Sequence, residues 1–287
     1  VQYNVAPFML EGIAAEAGHT PQSGNYEFQT FGIIVNMAAG TVYGDARSFG
    51  TDTLREVEGV VGSVLADLYD ATGFGLTSDN KLSQGLLINE FEGGAGDDII
   101  IGNGNTRVSY RNATDGVTVD LSVNNDGSGT VTGDASVGTD TLVGGISSIR
   151  GSDFDDTLIG YDNGPGTIQI FDGQGGDDYI DGKGGFDRVT YNQDAGVSKG
   201  ITVTLTATGT FGSGGTLTGA VTGNTAEVGD DQLFNIESVT GTDFADVLKI
   251  TNGGSVVGFG VIEFEGAGGN DTITGIFVPN VGGATFT

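Results

Sequence analysis

Phe91-Glu-Gly-Gly-Ala-Gly-Asp-Asp98 decides the reading of this chain, because it returns twice more in the same order of residue types. The second copy is Phe171-Asp-Gly-Gln-Gly-Gly-Asp-Asp178 and the third is Phe264-Glu-Gly-Ala-Gly-Gly-Asn-Asp271. From Asp98 to Asp178 is 80 residues and from Asp178 to Asp271 is 93. Self-similarity at a long, steady period is the mark of a stacked repeat architecture.

Other blocks recur around these three. Gly50-Thr-Asp-Thr-Leu54 matches Gly138-Thr-Asp-Thr-Leu142 and, more loosely, Gly229-Asp-Asp-Gln-Leu233. Each is followed by a Gly-Ser or Gly-Thr block that ends on an Asp: Gly62 to Asp67, Gly151 to Asp156, Gly241 to Asp246. Before them stand Ile33 to Met37, Val117 to Leu121 and Ile201 to Leu205, the last two alternating apolar with Thr or Asp as half-buried strands do. Val1-Gln-Tyr3, Val108-Ser-Tyr110 and Val189-Thr-Tyr191 read as a strand that closes a unit. These blocks predict three units, 32–115, 116–199 and 200–287, preceded by a closing strand and an irregular insertion over 1–31. That insertion, with Pro7, His19 and Pro21, and a variable loop from Ala71 to Gln84 read as surface excursions. Short strands and Asp-Gly or Asn-Gly turns at 115, 126, 163 and 252 give an all-β expectation: a parallel β-roll or β-solenoid with Gly/Asp turns.

Composition narrows the chemistry. The 287 residues carry 38 acidic and 10 basic side chains, a formal charge of −28, with 54 Gly, one His and no Cys. Phosphate recognition needs clustered Lys and Arg, so nucleic acid is excluded as a partner. The acid excess points to hard cations, since the regular apolar alternation argues against disorder. No apolar run reaches the length of a membrane span, and no basic leader with an apolar stretch opens the sequence. A lone His cannot assemble a zinc site, and no acid–base pair can be nominated among so many carboxylates, so no enzyme is expected.

Calcium takes six to eight oxygens. A glycine-rich turn aims several backbone carbonyls at one point, one Asp adds charge, and the next aliphatic fills the core. One turn gives half a site, and the other half comes from the turn stacked one coil away. The spacing predicts pairs Asp67/Asp98, Asp156/Asp178 and Asp246/Asp271, with Gly93, Gly173, Gly175, Gly266 and Gly268 shaping the turns. Asp187 lies on the other side of the coil, without an identifiable partner. Gly102-Asn-Gly-Asn-Thr-Arg107 lacks the Asp of Gly182-Lys-Gly-Gly-Phe-Asp-Arg188, so it is not expected to bind by a side chain; Arg107 and Arg188 are expected to neutralise carboxylates. Phe91, Phe171 and Phe264 are expected in the core.

Gly93-Gly-Ala-Gly-Asp-Asp-Ile-Ile-Ile101 resembles, in full, the nonapeptide of the RTX, or haemolysin-type calcium-binding, repeat family. The blocks starting at Gly173, Gly182 and Gly266 resemble it closely. The resemblance implies calcium-coupled folding, type I secretion and an extracellular or cell-surface location in a Gram-negative bacterium. Uniform repeats with matching ends suggest a self-associating surface-layer, matrix or filament subunit, its copies meeting head to tail. The alternatives are a folding and secretion module of a larger secreted enzyme or toxin, or an adhesin binding surface glycans.

Overall fold

The computed structural model describes residues 31–44, 50–81, 88–164, 167–192, 197–210, 216–223, 227–257 and 262–275. The closing strand at Val1 and nearly all of the insertion lie outside the described residues. Every regular element described is a β-strand. In chain order the first stretch holds β1 (Ile34–Asn36), β2 (Thr41–Tyr43), β3 (Thr51–Thr53), β4 (Gly59–Val61), β5 (Leu68–Asp70), β6 (Asn89–Glu92), β7 (Ile99–Ile101) and β8 (Thr106–Ser109). The second holds β9 (Thr118–Asp120), β10 (Ser128–Thr132), β11 (Thr139–Val143), β12 (Ile146–Arg150), β13 (Thr157–Ile159), β14 (Gln169–Asp172), β15 (Tyr179–Asp181) and β16 (Asp187–Thr190). The third holds β17 (Thr202–Thr210), β18 (Thr216–Thr222), β19 (Gln232–Phe234), β20 (Ser238–Thr240), β21 (Val247–Val257), β22 (Glu263–Glu265) and β23 (Thr272–Thr274).

These strands form two facing sheets. A narrow sheet of eight, β22-β20-β16-β14-β12-β8-β6-β4, is parallel throughout. A wide sheet of fifteen runs β23-β21-β17-β18-β19-β15-β13-β9-β10-β11-β7-β5-β1-β2-β3. The chain coils between them: β14 leads through a turn at 173–178 to β15, and a turn at 182–187 leads back to β16. Each pass stacks in register on its neighbours, as Leu158 on Ile180 on Leu233 in the wide sheet.

The coil is not a purely parallel roll. Three antiparallel meanders, β1-β2-β3, β9-β10-β11 and β17-β18-β19, are set into the wide sheet. Each meander adds two strands, an even number, so its first and third strands run the same way. The first therefore pairs parallel with the coil strand on one side (β9 with β13) and the third with that on the other (β11 with β7). One loop reading needs correction. Asn252-Gly253 lies inside β21 and not in a turn, at the place where the ladder with β17 shifts register between Ala207–Asn252 and Gly209–Val256. The described part of the Ala71 loop is largely exposed, as at Thr72, Leu76 and Asp79, and is pinned to the coil by buried Phe74 and by Asn80, whose amide bonds both backbone groups of Val57.

Side chains from both sheets meet in one continuous core, with Phe91, Phe171 and Phe264 of the narrow sheet buried as expected. Phe91 stacks on Tyr69 of the wide sheet, ring centroids 4.6 Å apart. Arg107 and Arg188 stand on the outer face, paired with Glu90 at 3.3 Å and Glu263 at 2.8 Å. Phe171 is buried, and its strand is paired on both sides, with Ile149 and Val189 as its register partners, which limits how far the stack can close over a cavity there. Phe171→Ala is expected to cost about 3–5 kcal/mol, and Phe171→Leu clearly less. Urea unfolding of both variants checks this.

Candidate metal centre

Along one edge of the coil, where the narrow sheet passes to the wide one, the turn aspartates form a column. The backbone N–H of Asp67 donates to Asp98 Oδ1 at 2.8 Å, and that of Asp98 to Asp140 Oδ1 at 3.0 Å. The same step recurs from Asp156 to Asp178 (2.9 Å), from Asp178 to Asp231 (3.1 Å) and from Asp246 to Asp271 (3.0 Å). The structure therefore brings together Asp67 with Asp98, Asp156 with Asp178, and Asp246 with Asp271, the pairs that spacing predicts. Asp140 and Asp231, from the Gly-Thr-Asp and Gly-Asp-Asp blocks, were not foreseen as members. Each takes a tyrosine hydroxyl as well: Tyr110 on Asp140 Oδ2 at 3.0 Å, Tyr191 on Asp231 Oδ2 at 2.7 Å. The signal was there in the recurrence of both blocks, but nothing in their spacing tied one to the other.

Within the column two kinds of turn alternate. In the Gly-Ser and Gly-Thr turns both carboxylate oxygens are engaged. Asp156 takes the Ser152 N–H (2.6 Å) and hydroxyl (2.9 Å) and the Val117 N–H (2.7 Å). Asp246 is held likewise by Thr242 and Ile201, and Asp67 by Ser63 and Ile33. In the nonapeptide turns that second position is Gly94, Gln174 or Ala267, none with a hydroxyl and all at positive φ. There Asp98 and Asp178, 0% and 1% exposed, each have an Oδ2 with no hydrogen-bond partner. A buried carboxylate oxygen without a donor is costly, and its exceptions ask for an explanation.

Glycine placement follows from the same carboxylates. A Cβ on Gly93 would fall 1.9 Å from Asp98 Oδ2, and one on Gly173 or Gly266 2.0 or 2.1 Å from the matching oxygen of Asp178 or Asp271. The fourth position, Gly96, Gly176 or Gly269, has φ of 121°, 105° or 95° and lies against the backbone of the stacked turn. Sequence reading singled out Gly175 and Gly268 instead. A Cβ on Gly175 meets nothing closer than 3.6 Å and one on Gly268 meets the Asp243 carbonyl at 2.9 Å, so Gly176 is the constrained residue of its turn and Gly175 is not.

Asp187 belongs to the opposite edge. Its backbone N–H donates to Glu237 Oε2 at 3.0 Å, and its own Oδ2 is buried without a partner. Burial, then neighbouring carboxylates, push these acids up: Asp98 to about 8, with Asp140 beside it, and Asp187 to about 9, with Glu237 beside it. Asp178 is raised by burial and by Asp231, and burial lifts Asp156 to about 6 and Glu237 to about 7.

The donors fit a hard cation: they are all oxygen, they include orphaned buried carboxylate oxygens, and carbonyls crowd the turns, as where a Cβ on Gly94 would meet the Ser63 carbonyl at 2.4 Å. Among the described residues no three His, Cys, Asp or Glu side chains converge as a metal cluster. A bound ion would therefore lean on backbone carbonyls for most of its shell.

Two expectations follow. Gly176→Ala is expected to destabilise by about 2 kcal/mol or more, and Gly175→Ala by less than about 0.5 kcal/mol; chemical denaturation separates them. For the metal-free protein, acids raised above their unfolded values hold protons more tightly when folded. Their contribution is therefore favourable near pH 4 and is lost as pH climbs through about 8 or 9. The urea midpoint without metal should fall between pH 5.5 and pH 8.5, and the slope should flatten in millimolar calcium. No protein-family model matches the chain, and no curated protein matches it.

Proposed function

We propose that this chain is a non-enzymatic, calcium-binding β-solenoid segment of an extracellular structural protein whose copies join head to tail. The observation that carries the calcium reading is the pair of orphaned oxygens, Asp98 Oδ2 and Asp178 Oδ2, in the turns that most resemble the RTX nonapeptide. Asp98 and Asp178 would hold the ion with carbonyls of the stacked turns, and Asp271 offers the same arrangement at the end of the column. Asp67, Asp156 and Asp246, already engaged through both oxygens, would form the closed half of each pair. Calcium supplies the positive charge that the column lacks. Binding and folding then become one equilibrium, which suits export of an unfolded chain from a Gram-negative cell by type I secretion.

The head-to-tail reading is supported at β3 and β23, the outer strands of the wide sheet among the described residues. Inside the molecule, β11 adds to β7 and β19 to β15. There Thr141 N donates to the Asp98 carbonyl at 2.8 Å, and a Cβ on Gly138 would meet the Gly96 carbonyl at 2.2 Å. Thr53 and Gly50 of the β3 block are the counterparts of Thr141 and Gly138, and a Cβ on Gly50 meets nothing within 4 Å. Asp52, counterpart of the buried Asp140, is exposed. On β23, Asp271 is the counterpart of Asp98. The two edges thus present the two halves of an internal joint, and a second copy would complete it. A further unit of the same repeat in a longer secreted chain would complete it equally well.

Asp178→Ala should weaken calcium binding at least tenfold and lower stability in calcium, while Asp115→Ala should do neither; equal effects would sink the assignment. Negative-stain microscopy in millimolar calcium should show ordered filaments or sheets that vanish on chelation. Thr53→Pro, which removes an outward N–H while sparing the inward ladder, should abolish them. Dispersed particles in calcium would shift the reading to a module of a larger protein.

A further inference from the structure

The far edge of the coil, where the wide sheet returns to the narrow one, holds a second constellation that the Gly/Asp column does not explain. Three turns stack there: Gly160 to Asn163, Gly182 to Asp187, and Asn235 to Glu237. Asp187 is 0% exposed, Glu237 4% and Asn163 9%. Two oxygens in this small space, Asp187 Oδ2 and Asn163 Oδ1, are buried without any hydrogen-bond partner. The Asn163 amide nitrogen faces Asp187 Oδ1 at 3.5 Å, and the Asp187 N–H is bound to Glu237 Oε2 at 3.0 Å, so Asp187 stands between the other two. Among the described residues, neither carboxylate has an ion pair; the nearby Lys183 is committed to Asp181 at 2.8 Å.

The chain carries its own control. By strand register Thr106 occupies the place of Asp187, since Asn89 pairs with Thr106 as Gln169 pairs with Asp187. One coil further on, Ser147 stands where Glu237 stands, between Ile146 and Ser148 as Glu237 is between Ile236 and Ser238. At that earlier junction the edge is neutral and closed. The Thr106 hydroxyl donates to Asn89 Oδ1 at 2.9 Å, Asn89 Nδ2 to Asn103 Oδ1 at 3.0 Å, and Asn103 Nδ2 to the Phe74 carbonyl at 3.2 Å. The later junction replaces two neutral groups with two carboxylates together and leaves acceptors open. Two carboxylates buried side by side, with Asp187 Oδ2 and Asn163 Oδ1 left without a donor, favour a cation between them.

We propose that Asp187, Glu237 and Asn163 form a separate hard-cation site, for calcium or a similar divalent ion, at the junction of the second and third repeat units. It rests on the reading of the chain as a calcium protein but uses a different donor set, two carboxylates and an amide oxygen drawn from three successive turns. Among the described residues the site belongs to this junction and has no counterpart at the earlier one. It clamps the third unit to the second, across the seam where β19 adds to β15.

Calcium stoichiometry by native mass spectrometry and equilibrium dialysis tests it. The Asp187→Asn/Glu237→Gln double variant should bind one calcium fewer than the parent chain, and its metal-free form should melt at a higher temperature than the metal-free parent. Glu237→Ser, which installs the residue natural at the neutral junction, gives the same test should the double variant not fold. An unchanged calcium count in these variants overturns this site and leaves the Asp98 and Asp178 column standing. A parent chain that binds no calcium overturns both.

Discussion

Everything in this fold hangs on one contact repeated along the coil: a buried carboxylate of one turn accepts the backbone N–H of the aspartate in the turn stacked upon it. The contact sets the distance between passes, because the donor is main chain and the acceptor is a short side chain with little freedom. It also dictates the first glycine of each turn, since the carboxylate sits where a Cβ would be, within about 2 Å at Gly93, Gly173 and Gly266. Strand register follows. Once the Asp156 N–H is bound to Asp178, Leu158 can only lie over Ile180, and the core layers are fixed.

A column of buried carboxylates must be compensated, and the chain uses neutral donors wherever it has them. Ser63, Ser152 and Thr242 close the turns that precede the nonapeptide turns. Tyr110 and Tyr191 close the aspartates that follow. At the first unit junction an amide network does the same without charge. Against the closed turns, Asp98, Asp178 and Asp187 each keep one buried carboxylate oxygen without a protein donor.

Much of this was legible in the sequence, for physical reasons that differ from element to element. Fold class, the coil-on-coil pairing of Asp67 with Asp98 or Asp156 with Asp178, and the burial of Phe91, Phe171 and Phe264 could be read because each depends on residues repeated at matching places. The distinction between closed and open turns was also written there, in Ser or Thr against Gly, Gln or Ala at one position, but it becomes meaningful only when the hydroxyl is seen to reach the carboxylate. The roles of Asp140, Asp231 and Glu237 were not legible. Their partners lie 42, 53 and 50 residues away, across meanders of differing length, so no fixed spacing marks them. Gly176 was overlooked for Gly175 because glycine content alone does not say which residue needs positive φ.

The meanders explain how such variation is tolerated. An insertion of two strands returns the chain to the same direction at the same edge, so the ladder of aspartate contacts resumes as if nothing had been added. That is why β10 and β18 can differ in length, five residues against seven, while the Asp98–Asp140 and Asp178–Asp231 contacts keep the same form. The joint keeps one form while the segment between joints varies, and that is what holds the passes in register from Asp67 to Asp271 among the described residues.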